Sequence, residues 1–586
     1  SDIMYKCLLN FNKSAIRTRF NVQNLAPLIY SVPSALFTEK PEGKKTRSKP
    51  FLFKKKAKSE DKTQETTEGQ NQQDKTKPRD DVHARRFLET QINESEEKPF
   101  DIKTSTYKFH FNYPLNSLPI DLDDVNIINI ENEETFHRIP KLEHNLEVIL
   151  RKPGIYSIDA MAPLQKDGGK FLRNIPQPDE IDFSRIPDYV PPSSDALLLK
   201  FAKESKIKYV MSTSTISNVL SQIYYLFSAF KGPNFSNLSE GYKFEPLKYM
   251  ISQRKPTTNF LRKIDIENGI YALDNDPGLF YAEHNVLMEI GKVVERSLTL
   301  PADFFNAALL KSNPHNPEFL IQDDHHRFMK LNNKICLRSQ IDCYSIDPET
   351  GKPFVFEIKT RSVSPIRYDL PNYQDYLDYR VNAYRGLHSS FEREYYDLIR
   401  GAFLKYAFQI RIGRMDGAFV AYHNTKEIFG FEYVKTTEIE NRIFGNNVYA
   451  EIAFVCCSKI LIQILDGLLD SLKDEKFEMI KLGMYSRAEL NKMTLFAELY
   501  ENSSSWRDHK LVQKSEEIQD EFDYFSKYVK LTNKVIKYDF TLFVYINGVL
   551  QINTDFIFNE GDQIEIRYKF EKVGPADFID YMNFLH

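Results

Sequence analysis

Cysteine is scarce in this 586-residue chain, and its five cysteines show no CxxC spacing. Zinc ribbons and disulfide-stapled domains need denser or more regular cysteines, so both classes are excluded and a reducing compartment is favoured. Positive charge is not in excess either, because 78 Lys/Arg face 82 Asp/Glu and the net charge is −4. A uniformly basic nucleic-acid coat is therefore excluded, and any nucleic-acid site must be a local patch.

Long apolar runs are also missing, since no stretch approaches eighteen apolar residues without a charge. The longest candidate, "EIAFVCCSKILIQILDGLLDSL", carries Glu451, Lys459, Asp466 and Asp470. A charged segment of this kind predicts a helix buried in a protein core rather than a membrane span. We therefore expect no transmembrane helix.

The residues that are present suffice for two to four ordinary domains, with 42% hydrophobic and 13% aromatic content. Residues 1–57 contain twelve Lys/Arg and three Asp/Glu, a local charge of +9, and residues 59–81 contain no apolar side chain. This composition predicts a largely disordered arm and linker, either a solvated tail or a contact for RNA or a membrane surface. The predicted regions are this arm at 1–82, an N-terminal accessory region at 100–195, a core domain at 196–472 and a C-terminal helical and β-hairpin region at 473–586.

Hydrophobic periodicity and turn signals predict the elements of these regions. A proline-rich passage at 176–192 predicts an extended strap over the next domain. The string "STSTISNVLSQIYYLFSAF" predicts a helix with a Ser/Thr cap, and Asn547-Gly548 predicts a type I′ hairpin turn near the C-terminus. Further helices are expected at 281–298, 373–388 and 391–412 and between 473 and 529, with strands around Asp342, around Glu357 and at "GAFVAYHN".

The string "VFEIKTR" carries an unusual set of charges for a short apolar strand. Strand alternation places Glu357, Lys359 and Arg361 on one face, and "RSQIDCY", read as one strand paired across a turn, adds Asp342 to that face. Two such carboxylates suit Mg²⁺, or alternatively Mn²⁺, with the carbonyl of Ile358 as a further ligand. Lys359 would orient the attacking water in a metal-assisted attack on phosphorus. The alternative is an exposed cluster of charges, which the triplet alone favours.

The order of these residues resembles the PD-(D/E)XK nuclease signature. Asp342 precedes Glu357-x-Lys359 by fifteen positions on a strand–turn–strand, with an acidic helix before it and a helix and strand after it. Gln340-Ile341 replaces the proline of the signature. Downstream, "FLKYAFQIRIGRMDGAFVAYHN" resembles exonuclease-type members, whose glutamine corresponds to Gln409.

The acidic helix, "YAEHNVLMEIGKVVERSLT", offers three glutamates. Glu283 lies in the middle of the apolar stripe formed by Val286, Leu287, Ile290 and Val294, which predicts that it points inward as a third acid and metal ligand. Glu289 and Glu295 fall off the stripe and are predicted to be solvated. Glu295 is the reserve candidate, on the condition that the helix is kinked at Gly291.

A closer resemblance, over residues 196–472, is to a fungal mitochondrial family that processes the 5′ ends of precursor RNAs. It is carried by "STSTISNVLSQIYYLFS", "GIYALD", "EHNVLMEIGKVVERSLTLP", "RSQIDCY", "FEIKTRSVSPIR" and "LKYAFQIRIGRMDGAFVAYHNT". The resemblance implies an α/β restriction-endonuclease-like nuclease core with N- and C-terminal extensions. It also implies a 5′-to-3′ exoribonuclease in the mitochondrial matrix or peripherally on the inner membrane, associated with the mitochondrial RNA polymerase.

The predicted site therefore combines catalytic, metal-binding and RNA-binding side chains. The catalytic candidates are Asp342, Glu357, Lys359, Glu283 and Gln409; the metal ligands are Asp342, Glu357, Ile358 and Glu283; the RNA contacts are Arg338, Arg361, Arg367 and Tyr406. Tyrosines 368, 373, 376 and 379 either stack on unpaired bases or, more commonly for single tyrosines, pack in the protein.

Two other functions remain open at this point. One is a catalytically weak RNA- and polymerase-binding factor on a nuclease scaffold, which would not need two acids and a lysine converging on one place. The other is a DNA nuclease of the same fold, because only contacts to the 2′-hydroxyl would distinguish the two polymers.

Overall fold

The computed structural model describes residues 115–120, 139–152, 154–276, 286–321, 325–487, 491–502, 533–551, 556 and 558–585. The arm and linker predicted at 1–82 lie outside these residues. The strands are β1 (Asn116–Pro119), β2 (Ile155–Ser157), β3 (Tyr209–Ser212), β4 (Thr257–Asp265), β5 (Ile270–Asn275), β6 (His326–Leu331), β7 (Ile335–Gln340), β8 (Cys343–Ile346), β9 (Pro353–Ser362), β10 (Gly417–His423), β11 (Ile428–Lys435), β12 (Met479–Arg487), β13 (Lys492–Tyr500), β14 (Lys534–Ile546), β15 (Val549–Leu550) and β16 (Ile564–Pro575). The helices are α1 (Val148–Arg151), α2 (Ile158–Met161), α3 (Ala196–Glu204), α4 (Thr213–Phe227), α5 (Val286–Thr299), α6 (Ala302–Leu309), α7 (Ser364–Tyr368), α8 (Phe391–Gly401), α9 (Phe403–Gly413), α10 (Thr436–Ile443), α11 (Asn447–Ser471) and α12 (Phe578–Leu585).

The described strands form two sheets, so the predicted α/β class is confirmed. The larger sheet has the order β1-β16-β14-β13-β12-β4-β5-β3-β7-β6, with β15 paired to β14. The smaller sheet has the order β2-β11-β10-β9-β8. Within it β8 and β9 are antiparallel and β9 and β10 are parallel, with α8 and α9 in the connection between them. The helix, strand–turn–strand, helix, strand order expected of the nuclease core is therefore present, with α5 as its first helix.

The long helix α11 runs through the core. By length and composition its apolar stretch could cross a membrane. However, 78% of its most apolar 18-residue stretch is buried inside the protein. Cys456, Cys457, Leu461 and Leu465 are all fully buried in one cluster with residues of both sheets. The prediction of a buried core helix is confirmed.

Several local predictions are also confirmed by the backbone. Helix α4 begins after Ser212, which forms a capping box with Thr215, so capping accounts for the hydroxyl-rich start of this helix. Asn547 and Gly548 have φ angles of 50° and 77° between β14 and β15, as a type I′ turn requires. The strap predicted at 176–192 is extended only in part, because 3-10 turns form at Pro178–Glu180 and Phe183–Arg185, and Ser193 just after it bonds Asp274 of β5.

Two predicted helical segments are wrong. Residues 373–388 contain only the end of a 3-10 helix at Leu370–Tyr376 and then follow an irregular course. In that irregular part the Asn382 and Ala383 N–H groups both bond the Ser389 carbonyl (3.1 and 3.2 Å), a loop closure that is incompatible with a continuous helix. In the segment predicted as helical between 473 and 529, Met479–Arg487 and Lys492–Tyr500 form β12 and β13, while residues 503–529 lie outside the described residues. Both strands are buried on both faces and therefore lack the two-residue alternation that identifies half-exposed strands.

The predicted border at 472/473 falls between α11 and β12, and the larger sheet continues across it. Strand β12 pairs antiparallel with β4 of the predicted core domain and with β13 of the C-terminal region. The C-terminal strands therefore complete a sheet that begins in the core, whereas the division into functional domains stays a prediction.

Histidine 423, at the end of β10, gives a testable pH dependence of stability. It is 2% exposed, its Nδ1 accepts a bond from the Thr425 N–H (3.1 Å), and burial, with the charge of Arg367, lowers its pKa from 6.5 to about 3. The native state therefore binds fewer protons than the unfolded state below pH 6.5, and stability is lost as the pH falls from 6.5 towards 3.

We expect this histidine alone to remove about 1 kcal/mol of the free energy of unfolding between pH 7.5 and 5.5. Urea unfolding at both pH values should show a loss that is smaller by about this amount in His423→Gln than in the parent. Equal losses in the two proteins would show that His423 is not held neutral.

Candidate active site

Asp342 lies where the chain crosses from one sheet to the other. Strand β7 of the larger sheet ends at Gln340, and β8 of the smaller sheet begins at Cys343, so the segment expected as one strand is broken at Ile341-Asp342. The Ile341 N–H bonds the carbonyl of His325 (2.9 Å), and Asp342 Oδ2 accepts the Ile358 N–H of β9 (2.9 Å). The break turns the carboxylate towards β9, beside the next residue of the motif.

Glu357 and Lys359 lie on one face of β9, as alternation predicts. Their side chains form an ion pair, with 10% and 19% of the respective side chains exposed. Burial lowers the pKa of Lys359, but attraction to Glu357 and Asp342 outweighs burial, so the pKa lies above its usual range. The lysine is therefore a cation held between two carboxylates, not a neutral base.

The helix acid beside this pair is Glu295, which the sequence predicted to be solvated. Helix α5 is a single helix through Gly291, and a Cβ at Gly291 would lie 3.3 Å from Thr360 Oγ1 of β9. The missing side chain lets the helix approach the strand, and Glu295 follows one turn later on the same side. Glu295 is half-buried and lines a cavity with Asp342 and Ile358. A glycine four residues before a glutamate was the signal that hydrophobic periodicity alone missed.

Glu283 lies outside the described residues, and its assignment as the third acid stays a prediction. A kink at Gly291 is not required for Glu295 to reach Asp342.

The electrostatics of the site fit a divalent cation. Burial, followed by repulsion from Glu357 and then Glu295, raises the pKa of Asp342 well above its usual range. A cavity of about 20 Å³ between Glu295, Asp342 and Ile358 has room for one water or ion. Within the described part of the chain, no three His, Cys, Asp or Glu side chains form a ready cation site. Mg²⁺ commonly uses only one or two carboxylates, with waters and substrate phosphates as its other ligands, so the set is sufficient.

Helix α9 covers the same face of β9 with two further candidates. The Lys359 ammonium lies 5.3 Å from the centre of the Tyr406 ring, a cation–π contact that limits where the lysine can move. One turn further along α9, the buried Oε1 of Gln409 has no hydrogen-bond partner. Helix α9 ends just before β10, and the first residue of β10, Gly417, pairs with Phe356 of β9. The last turns of α9 therefore lie nearer to Glu357 than to the end of β9. An unpaired buried acceptor at this position fits a proton donor supplied by a substrate or a water.

Arg338 has structural partners that were not anticipated. Its guanidinium bonds Asp195 Oδ2 (2.5 Å) and the carbonyl of Val190 (2.6 Å), and only 10% of its side chain is exposed. The arginine ties the proline-rich strap to β7, the strand that leads to Asp342. Its role as an RNA contact stays a prediction, but its guanidinium already has intramolecular acceptors.

Arg361 and Arg367 differ in how completely they are paired. Arg367 bonds Glu394 and Asp397 of α8, the latter at 2.8 Å. Arg361 is 12% exposed, lies 3.9 Å from Glu394, and leaves its buried Nε and Nη2 without a hydrogen bond. Of the two, Arg361 is thus the arginine with unused donors on the face of β9 that carries Glu357 and Lys359.

Comparison with known proteins identifies the family. Residues 189–466 match the family described as mitochondrial protein Pet127. The mRNA degradation protein pet127, mitochondrial, of Schizosaccharomyces pombe is 32% identical over 373 residues, which cover 63% of this chain and 68% of that protein. The chain belongs to the Pet127 family. A second member, the putative mitochondrial translation system component PET127 of Saccharomyces cerevisiae, is 37% identical over 259 residues, 43% of this chain but only 30% of that protein.

Membership of the Pet127 family confirms the predicted resemblance and the mitochondrial location, because the family and both relatives are described as mitochondrial. The position within the mitochondrion, matrix or inner membrane, stays a prediction. The matched region, residues 189–466, contains Glu295, Asp342, Glu357 and Lys359.

Two solved structures show weak similarity. Scheffersomyces stipitis Rai1 has a TM-score of 0.26 and 12% identity, covering 57% of this chain and 79% of that chain. K. lactis Dxo1, solved in complex with manganese, has a TM-score of 0.27 and 11% identity, covering 63% of this chain and 95% of that chain.

Proposed function

We propose that this protein is a metal-dependent exoribonuclease that trims or degrades mitochondrial RNA from its 5′ end. The observation that carries the proposal is the convergence of Asp342, Glu357 and Lys359 at the junction of the two sheets. Carboxylates around a buried lysine are costly to desolvate, and a purely structural pairing would need only one of the two acids. Glu295 adds a further negative charge and thereby strengthens the case for a cation.

The roles of the protein groups follow from their charges and positions. Asp342, Glu357 and the carbonyl of Ile358, with Glu295 beside them, would hold Mg²⁺ or Mn²⁺. The bound cation would polarise the phosphoryl oxygen and lower the pKa of water. Lys359 stays protonated and stabilises the negative charge that develops on the phosphate, while Tyr406 keeps its ammonium in place. Gln409 Oε1 accepts a hydrogen bond from the attacking water, and Arg361 attracts a neighbouring phosphate.

RNA as the substrate is supported by the name of the S. pombe relative, an mRNA degradation protein. The 5′-to-3′ direction, the association with mitochondrial RNA polymerase and the peripheral association with the inner membrane rest on the family resemblance alone. They remain predictions.

The proposal is tested with purified protein and four substrates. Two are a 5′-phosphorylated RNA and the DNA of the same sequence, each labelled at one end. The other two are the same RNA and DNA labelled at the opposite end. We expect Mg²⁺-dependent release of nucleotides from the 5′ end of RNA and loss of cleavage with EDTA. Cleavage of DNA but not RNA would identify a DNA nuclease. RNA binding with no cleavage in Mg²⁺ or Mn²⁺ would identify a binding factor on a nuclease scaffold.

A further inference from the structure

Three large, exposed aromatic side chains lie near α8, namely Phe244 and Tyr384 on two surface loops and Tyr368 at the end of α7. Phe244 is 91% exposed, Tyr368 is 60% exposed and Tyr384 is 58% exposed. Exposed cations accompany them, with Lys248 on the loop of Phe244 and Arg385 next to Tyr384. We call these five residues the aromatic surface. Aromatic rings with exposed faces and interleaved cations are the combination that binds unpaired nucleic acid by stacking and charge.

The loops that carry the aromatic surface are fixed to α8 and to each other. Glu392 of α8 accepts bonds from the Ser239 N–H (2.7 Å) and from the Gly386 N–H (2.7 Å), one in each loop. Tyr242 OH donates to the carbonyl of Gly386 (2.7 Å), which joins the loops directly. The rings are therefore presented from an ordered base, which lowers the entropy lost when a flexible strand binds.

The aromatic surface is also connected to the candidate active site. Helix α7 follows directly from β9, the strand of Glu357 and Lys359, and it ends at Tyr368. Tyr368 OH donates to Asp397 (3.3 Å), the carboxylate that also holds Arg367. From Glu357 to the end of β9 the strand advances about 17 Å, at about 3.3 Å per residue, and α7 begins two residues after that end.

We propose that the aromatic surface binds single-stranded RNA and holds it beyond the nucleotide being cleaved. The inference rests on the proposed function and adds that the substrate must be unpaired over several nucleotides next to the site. A membrane surface fits less well, because two of the three rings are tyrosines and the Tyr368 hydroxyl donates to the carboxylate of Asp397 (3.3 Å), so that ring is not an apolar tip. Lipid insertion favours apolar tips without carboxylates.

The test is RNA affinity in EDTA, where no cleavage occurs. Fluorescence anisotropy with an unstructured 12-nucleotide RNA should give a Kd about fivefold or more higher for Phe244→Ala, Tyr368→Ala and Tyr384→Ala than for the parent. Tyr368→Phe keeps the ring and should bind like the parent. Ile266→Ala is the matched control, since Ile266 is 85% exposed on the β4–β5 turn, away from the surface. Binding by this control should be unchanged.

A second readout separates stacking from a general loss of affinity. RNA with 2-aminopurine at each of its first six positions in turn should lose fluorescence on binding at the stacked positions, and this loss should disappear in the matching Ala variant. An unchanged Kd in the triple Ala variant would overturn the inference. The inference would also be overturned if the triple Ala variant lost binding to cardiolipin-containing vesicles but kept its affinity for RNA. That result would identify a membrane surface instead. If the parent cleaves no RNA with Mg²⁺ but these effects on binding are seen, the proposed function fails while the RNA surface stands.

Discussion

Glu357→Gln is expected to lower the rate of RNA cleavage by about a thousandfold or more while leaving RNA affinity within about twofold of the parent. The substitution keeps the shape of the side chain and removes the charge that faces Lys359 and Asp342. A cation would lose an anionic ligand, and the lysine would lose its ion-pair partner. Asp342→Asn and Lys359→Ala should each have an effect of the same size, because the three groups act as one unit.

Single-turnover cleavage of 5′-phosphorylated RNA at saturating protein measures this effect, and Kd in EDTA measures affinity separately. Glu349→Gln is the matched control, because Glu349 lies exposed on the turn between β8 and β9, outside the site. Tm values within a few degrees of the parent would show that the variants are folded. Mg²⁺-dependent cleavage at a tenth or more of the parent rate in Glu357→Gln would refute the assignment of this site.

Glu295→Gln is expected to lower the maximal cleavage rate by 10- to 100-fold and to raise the Mg²⁺ concentration needed for half-maximal activity. The structure places this carboxylate on the cavity it shares with Asp342, where its charge raises the pKa of Asp342. Removing the charge weakens the attraction for a cation without opening the core, since glutamine has the same shape.

Glu289→Gln provides the comparison on the same helix, because Glu289 is not part of that cavity. Its Mg²⁺ titration should match that of the parent. Glu283→Gln distinguishes the two assignments of the third acid. If Glu283→Gln requires more Mg²⁺ and Glu295→Gln does not, the sequence-based choice is right and the structural one is wrong.

The sequence predicted those parts of the fold whose signals are local. The strand–turn–strand around Asp342 and Glu357, the Asn547-Gly548 turn and the capped start of α4 depend on a few adjacent residues, and the structure contains all three. Alternation on β9 also placed Glu357 and Lys359 correctly on one face. These features follow from the pleat and from turn chemistry, which neighbouring residues determine.

The failures have non-local causes. Strands β12 and β13 are covered on both faces, so their pattern of apolar residues has no two-residue period and resembles that of a buried helix. Glu295 was assigned to solvent because apolar residues were taken to define the inner face of α5. Because α5 approaches β9 closely at Gly291, the buried face of the helix is wider than its apolar stripe, and it includes Glu295. The break at Ile341-Asp342 depends on a second sheet, which no local signal indicates.

The position of Asp342 between the two sheets makes the geometry of the site depend on how the sheets are aligned. Glu357 and Lys359 belong to the smaller sheet, whereas the residues just before Asp342 belong to β7 of the larger one. Sliding one sheet past the other would therefore lengthen the bond between Asp342 Oδ2 and the Ile358 N–H. The proline-rich passage that Arg338 holds against β7 also reaches the turn after β10 of the smaller sheet, where Gln177 Nε2 donates to the Thr425 carbonyl (3.0 Å). The geometry of the proposed site therefore depends on the alignment of the two sheets, and weakening the Arg338 contacts would change that geometry without altering Asp342, Glu357 or Lys359.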